Sequence, residues 1–166
     1  MKSVREWADV AREAKKRCGK HKHVHVARIF EICVEKSSEL GESAKKSGDR
    51  KFKGRAVFEG NWVKDENFDY ALFNEMGSAP ATMAAGKVVD AWGLQPGFTV
   101  EQADAEAAYT QTKLRGEPTW VRLPKERWPK EWAGYRDPVV RLVLALYGHP
   151  DSGTYWEQYA DKHLKK

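Results

Sequence analysis

The sequence predicts an α+β fold. Two alternating apolar–polar runs, "HVHVARIFEICVEK" (23–36) and "RKFKGRAVFEGN" (50–61), read as strands. Between them lies "SSELGESAKKSGD" (37–49), a polar, turn-rich loop, so 24–60 reads as a long-looped antiparallel hairpin. Further helices and strands follow without regular βα alternation, which favours α+β over a doubly wound sheet.

The remaining elements follow in chain order. Residues 3–17 read as a charged helix, with Ser3 as N-cap, Glu6 as its capping-box partner and Gly19 ending it. "GSAPATMAAGKVVDAWG" places Pro80 at a helix start and Gly93 just past its end. Met83, Val88, Ala91 and Trp92 are expected to line the buried side of that helix. "GFTVEQADAE" reads as a strand, "AAYTQTKL" as a short helix and "TWVRLP" as a short strand. "WPKEWAGYRDP" reads as loop, "PVVRLVLALYG" as an apolar run ending at Gly148, and 154–165 as an amphipathic helix.

Composition bounds the function. At 166 residues the chain is one domain or a piece of one. Charged residues make up 32% and the net charge is +5, an excess that favours a polyanionic partner. The amphipathic start "MKSVREWADVAREAKK" is not a signal peptide, and no apolar run approaches membrane-spanning length. Two cysteines, Cys18 and Cys33, make no disulfide framework. The expected location is therefore intracellular, cytoplasmic or nuclear, away from any membrane.

Four features could carry chemistry. "CGKHKHVH" gathers Cys18, His21, His23 and His25; it reads either as a metal site or as a polar strand entry, and no second Cys/His pair stands at finger-like spacing. On a strand, Lys51, Lys53 and Arg55 point to one side, with Arg50 beside them, which suits phosphate oxygens or an ordinary solvated face. Trp120, Trp128, Trp132, Tyr155 and Trp156 could stack on bases or fill a core. Asp104 closes an alternating run and is followed by the small residues Ala105, Ala107 and Ala108. It reads as a helix cap or as an oxygen ligand for magnesium, which keeps substrate phosphates in its shell.

Five motifs in order resemble the N-terminal half of a copia-type reverse transcriptase, from long-terminal-repeat retrotransposons. The family's fingers hairpin, approximately K-x-K-A-R-L-V-A-K-G, is matched by "KFKGRAVFEG" (51–60), and its D-Y segment by Asp69-Tyr70. D-V-x-x-A-F is matched by "DAEAAY" (104–109), I-Y-M-x-x-P by "TWVRLP", and L-Y-G-L-K-Q-A-x-x-x-W by "LYGHPDSGTYW" (146–156). The resemblance covers roughly 24–164. It implies residues 1–23 as an N-terminal helix and basic linker, and 24–166 as a fingers hairpin with the partial palm of a right-hand polymerase.

The resemblance also implies roles. Asp104 would be the catalytic aspartate and ligand for two Mg2+ ions, with the Ala105 carbonyl beside it. Such a metal pair, about 3.5–4 Å apart, activates a primer hydroxyl and holds the leaving pyrophosphate. Tyr109 would lie under the incoming sugar, and Lys53 and Arg55 would contact the triphosphate. The partners implied are an RNA or DNA template-primer and deoxynucleoside triphosphates. The family's second metal-ligand motif, Y-x-D-D, has no counterpart here: "QYADKH" (158–163) carries Lys162 where the second Asp should stand and reads as a solvated helix segment. The turn "HPDSG" also departs from L-K-Q-A-P and lacks its basic residue. The expectation is therefore a polymerase portion truncated before the Y-x-D-D hairpin and inactive alone, since one aspartate cannot hold two ions. The competing expectation is a non-catalytic basic nucleic-acid-binding module. An in-frame Y-x-D-D within the next several dozen codons of the gene would favour the first, and an early stop the second.

Overall fold

The computed structural model describes residues 4–17, 23–36, 51–73 and 81–165. Ser3, Cys18, Gly19, His21, Arg50, Pro80 and the 37–49 loop lie outside the described residues. The architecture is α+β, with a five-stranded sheet in the order β1-β5-β4-β2-β3. Its strands are β1 (Val4–Glu6), β2 (His25–Lys36), β3 (Lys51–Phe58), β4 (Thr119–Arg122) and β5 (Pro138–Arg141). Among the described residues the α-helices are α1 (Trp7–Lys15), α2 (Met83–Gly93) and α3 (Ser152–Leu164).

The expected hairpin forms. Ile29 pairs with Phe58 and Lys36 with Lys51, in unbroken antiparallel register between. The first part of β2 takes a different partner: His25 to Arg28 run parallel to Thr119 to Arg122. One long strand thus ties the hairpin to the rest of the sheet.

Helix α1 forms because Trp7, Val10, Ala11 and Ala14 fall on one face at helical spacing, and all four are buried. They pack with Val24, Val26 and Val139, and Trp120 closes the edge. On the other side of the sheet, Ala27, Phe58, Val63 and Val121 form a second cluster with Ile29, Val140, Leu142 and Leu146. Alternation along β2 sends Val26 to one cluster and Ala27 to the other. The expected helix over 3–17 starts later than its pattern suggests. Val4–Glu6 pairs with β5 instead, because that edge offers unpaired backbone groups. Glu6 is no capping-box partner: its carboxylate accepts the backbone N–H groups of Arg136 (2.7 Å) and Asp137 (3.0 Å).

The "LYG" turn locks onto the base of the hairpin. Phe58 N–H donates to the Tyr147 carbonyl at 2.7 Å. Gly148 has φ +88, and a Cβ there would fall 2.1 Å from the Phe58 carbonyl oxygen. A Cβ on Gly60 would fall 2.1 Å from the Gly148 oxygen. Backbone meets backbone on both sides, so only glycine fits at either position.

Two expectations fail between 81 and 111. Helix α2 exists, capped by the Thr82 hydroxyl, which accepts the Ala85 N–H at 3.2 Å. Gly93 is its last residue rather than the residue beyond it. Its apolar side is not buried, however: Met83 is 81% exposed, Val88 65% and Trp92 58%. The strand expected over "GFTVEQADAE" is irregular chain, and the helix expected over "AAYTQTKL" shrinks to a 3-10 turn at Ala108–Gln111, entered through a left-handed Ala107 (φ 50). Alternation supplies a strand's two faces but not its ladder, and among the described residues nothing pairs with 98–106. Asp104 therefore stands neither at a strand end nor as a helix cap.

The remaining expectations hold with small shifts. "TWVRLP" contains β4, and 154–165 lies within α3 or its end. Within "PVVRLVLALYG" only Pro138–Arg141 is strand. The rest docks by single bonds, Leu114 N–H to Val143 O (2.9 Å) and Ala145 N–H to Thr112 O (3.0 Å).

Gly148→Ala is expected to destabilise the fold by about 3 kcal/mol or more, from left-handed strain plus the clash with Phe58. Val88→Ser on exposed α2 is expected to stay within about 0.5 kcal/mol of the parent. Urea denaturation of the two variants checks the contrast.

Candidate nucleic-acid interface

The register of the hairpin decides what its outer face presents. Lys36 lies across from Lys51, Val34 from Lys53, Ile32 from Arg55, and Phe30 from Val57. Paired residues share a side, so Lys36, Lys51, Lys53 and Arg55 form one basic surface over Ile32, Val34 and Val57. Spacing alone could not place Lys36; cross-strand pairing does. A cleft of about 300 Å³ opens on this side, lined by Ile32, Val34, Lys36, Lys53, Arg55, Val57 and Tyr147.

Tyr147 is the hub. The Arg55 guanidinium lies 5.8 Å from its ring centroid, within cation–π range, and the Tyr109 ring packs against it at 4.6 Å. The structure thus brings together three of the five expected site residues, Lys53, Arg55 and Tyr109, around an aromatic that the sequence offered only as part of "LYG". Asp104 and Ala105 lie in exposed, irregular chain before that turn. Magnesium chemistry needs a second carboxylate beside the first. Among the described residues Asp104 belongs to no group of three or more ligand side chains. The residues described around Asp104 therefore do not fit a magnesium pair.

A second basic cavity was not signalled by any motif. It encloses about 370 Å³ and is lined by Arg28, Arg122, Lys125, Arg136, Asp137 and Trp128, among others. Parallel pairing sets Arg28 beside Arg122, residues 94 positions apart, so only the folded sheet reveals the pair. Arg122 is held by a bidentate bond to Asp137 (2.6 and 2.7 Å), and its Nη1 is buried with no hydrogen-bond partner. Arg28 lies over the Trp62 ring at 4.4 Å. Arg28 and Lys36 are both even positions of β2, so local alternation directs them to the same side of that strand.

The aromatics expected as base platforms are largely structural. Trp132 is buried, Trp120 packs on the α1 cluster, and Trp128 donates its indole N–H to Leu123 O at 3.0 Å. Trp156 stacks on Tyr159 within α3. Asp161 of "QYADKH" is exposed and paired to Lys165, as expected for a solvated helix segment.

Of the histidine-rich stretch, His23 and His25 are described and line one cavity with Asp65, Asp69 and Glu117. His23 Nδ1 lies 2.8 Å from Glu66 Oε1, and Val24 N–H donates to Glu66 Oε2 at 3.1 Å. Burial raises the Glu66 carboxyl's pKa, but the N–H groups of Glu66 and Val24, together with His23, outweigh it and leave the pKa below the usual value. His25 is pushed down by burial, partly offset by Glu117 and Glu66.

In the "HPDSG" turn, His149 points inward against Phe58 and Phe73. Its Nδ1 accepts the Asp151 N–H at 3.1 Å, so the neutral ring carries its proton on Nε2, which is buried with no hydrogen-bond partner. Burial, and then the charge of His25, push His149 down to about 4.

Comparison of the chain with family models, with curated proteins and with solved structures returned no match. Among the described residues no helix is long and apolar enough to cross a membrane.

His149 stays neutral in the fold and takes a proton when unfolded. Between its ordinary value of 6.5 and about 4 the unfolded chain binds the extra proton, so stability falls as pH drops through that window and levels off below it. The expected loss is at most about 3 kcal/mol. His149→Gln keeps an acceptor for Asp151 and should flatten that part of the melting-temperature profile relative to the parent.

Proposed function

We propose that this chain is the fingers and partial palm of a copia-type RNA-directed DNA polymerase, and that its hairpin side holds the phosphates of a template-primer or nucleotide. One observation carries the reading: Lys36, Lys53 and Arg55 share a cleft with Tyr147, against which Tyr109 packs. Cations in fixed positions beside an aromatic pair suit a polyanion whose bases or sugars also need a flat partner. The cavity around Arg28, Arg122, Lys125 and Arg136 adds a second phosphate-binding stretch.

On this reading Lys53 and Arg55 stabilise phosphoryl charge electrostatically, and Tyr109 sits beneath a nucleotide sugar, braced by Tyr147. Asp104 supplies a single carboxylate. Its place in exposed, irregular chain favours a second reading, nucleic-acid binding without catalysis. Both readings share the basic side and differ in polymerisation alone.

The test is binding of a labelled single-stranded oligonucleotide across a salt series, with primer extension measured in parallel. Affinity should fall with salt, the logarithmic slope being about −0.7 per phosphate contact. Lys53→Gln combined with Arg55→Gln should make that slope shallower by about 1.4. The 166-residue chain should give no magnesium-dependent extension. Salt-independent binding would remove the phosphate reading, and template-directed extension would remove the argument from the single carboxylate.

A further inference from the structure

The stretch entering β2 and the turn after Val63 converge on a different chemistry. Val26 and Lys64 exchange backbone hydrogen bonds, 2.7 Å from Val26 N to Lys64 O and 2.9 Å in return. That exchange fixes Asp65 and Glu66 alongside His23 and His25. One ligand atom each from His23, Asp65 and Glu66 lies within 4.8 Å of the others. Asp65 Oδ1 already accepts the N–H groups of Asn67 (2.7 Å) and Asp69 (3.0 Å). A cation can take its Oδ2 without breaking that turn. Glu66 is buried and anchored from the backbone through Oε2, so its Oε1 is held toward His23.

A second observation points the same way. His25 is only 8% exposed. Its ring lies 5.0 Å from that of Phe73, and the residue lines the same cavity of about 420 Å³. Asp69 and Glu117 add carboxylates to the cavity wall. This buried imidazole therefore faces a carboxylate-rich space.

We propose that His23, Asp65 and Glu66 bind a divalent ion of the zinc type, with His25 on the wall of the same cavity. Imidazole with two carboxylates is a zinc donor set, whereas magnesium takes oxygen ligands and keeps its water. Zinc–ligand distances of about 2.0–2.2 Å set neighbouring donors about 3.5 Å apart, so the 2.8 Å His23–Glu66 pair must open while the three donors, all within 4.8 Å, close round the ion. The His23 side chain is 54% exposed and can turn to supply that movement. On binding, the ion takes the place of the hydrogen bond between His23 and Glu66, and a ring ligated through Nδ1 carries its proton on Nε2. This site is separate from Asp104 and does not depend on the polymerase reading.

The experiment is calorimetric titration of the full chain with Zn2+ alone, with melting temperature followed in parallel. One ion per chain is expected, raising the melting temperature, with chelation reversing the rise. His23→Gln and Asp65→Asn should each weaken binding at least tenfold. The amide oxygen of Asn preserves the turn, and exposed His23 is not needed for folding, so both metal-free variants should melt as the parent does. Cys33→Ser, which removes an exposed thiol, should leave binding unchanged. Absence of saturable one-to-one binding, parental affinity in both variants, or displacement of zinc by an equal concentration of Mg2+ would overturn the proposal.

Discussion

The change of partner along β2 is the constraint on which the rest of the structure depends. Its first four residues pair with β4 and its last eight with β3. In the N-terminal part His25, Val26 and Ala27 are buried, and Val26 and Ala27 anchor it between α1 and the Phe58 cluster. The C-terminal part projects as a hairpin whose residues are mostly exposed. At the junction the chain is clamped twice, by Glu59 N–H to Arg28 O and by the glycine-only contact of Gly148 with Phe58. A slip of one residue in this register would send Lys53 and Arg55 to the side now held by Phe52 and Gly54.

The same clamp joins distant pieces of the candidate interface. Tyr147 precedes Gly148, so the turn that locks the hairpin also sets the ring that Arg55 and Tyr109 meet. The pairing of β2 with β4 brings Arg28 to Arg122, and the exchange between Val26 and Lys64 brings Asp65 and Glu66 to His23. The basic surface and the proposed zinc site are thus both products of β2, one at its projecting end and one at its buried start.

Local signals carried the hairpin, α1, β4 and α3, because strict alternation or helical spacing there coincides with burial on one face. The basic row was readable for the same reason: Lys51, Lys53 and Arg55 need only a strand to share a side. Lys36, Arg28 and Tyr147 needed pairing across long sequence separations, which no window of sequence contains. The stretch 83–107 misled in the opposite way. Its apolar residues have the periods of a buried helix and a half-buried strand, but burial and pairing require neighbours: Met83 and Val88 stay exposed, and Trp92 meets the Phe98 ring yet stays 58% exposed. Asp104 lies in that stretch, so its expected place at a strand end fails with the strand before it. The histidine cluster read ambiguously because its acidic partners lie some forty residues away.

The most direct test compares two changes of equal charge on opposite sides of the same strand. Lys53→Gln removes one positive charge from the basic side. Phe52→Glu adds one negative charge on the other side, where Phe52 is 76% exposed and its loss spares the core. Oligonucleotide affinity is measured for both across a salt series. Lys53→Gln should weaken binding and make the logarithmic salt slope shallower by about 0.7, while Phe52→Glu leaves the slope as in the parent. Equal losses in the two variants would mean that the molecule's net charge, rather than the register of the hairpin, governs binding.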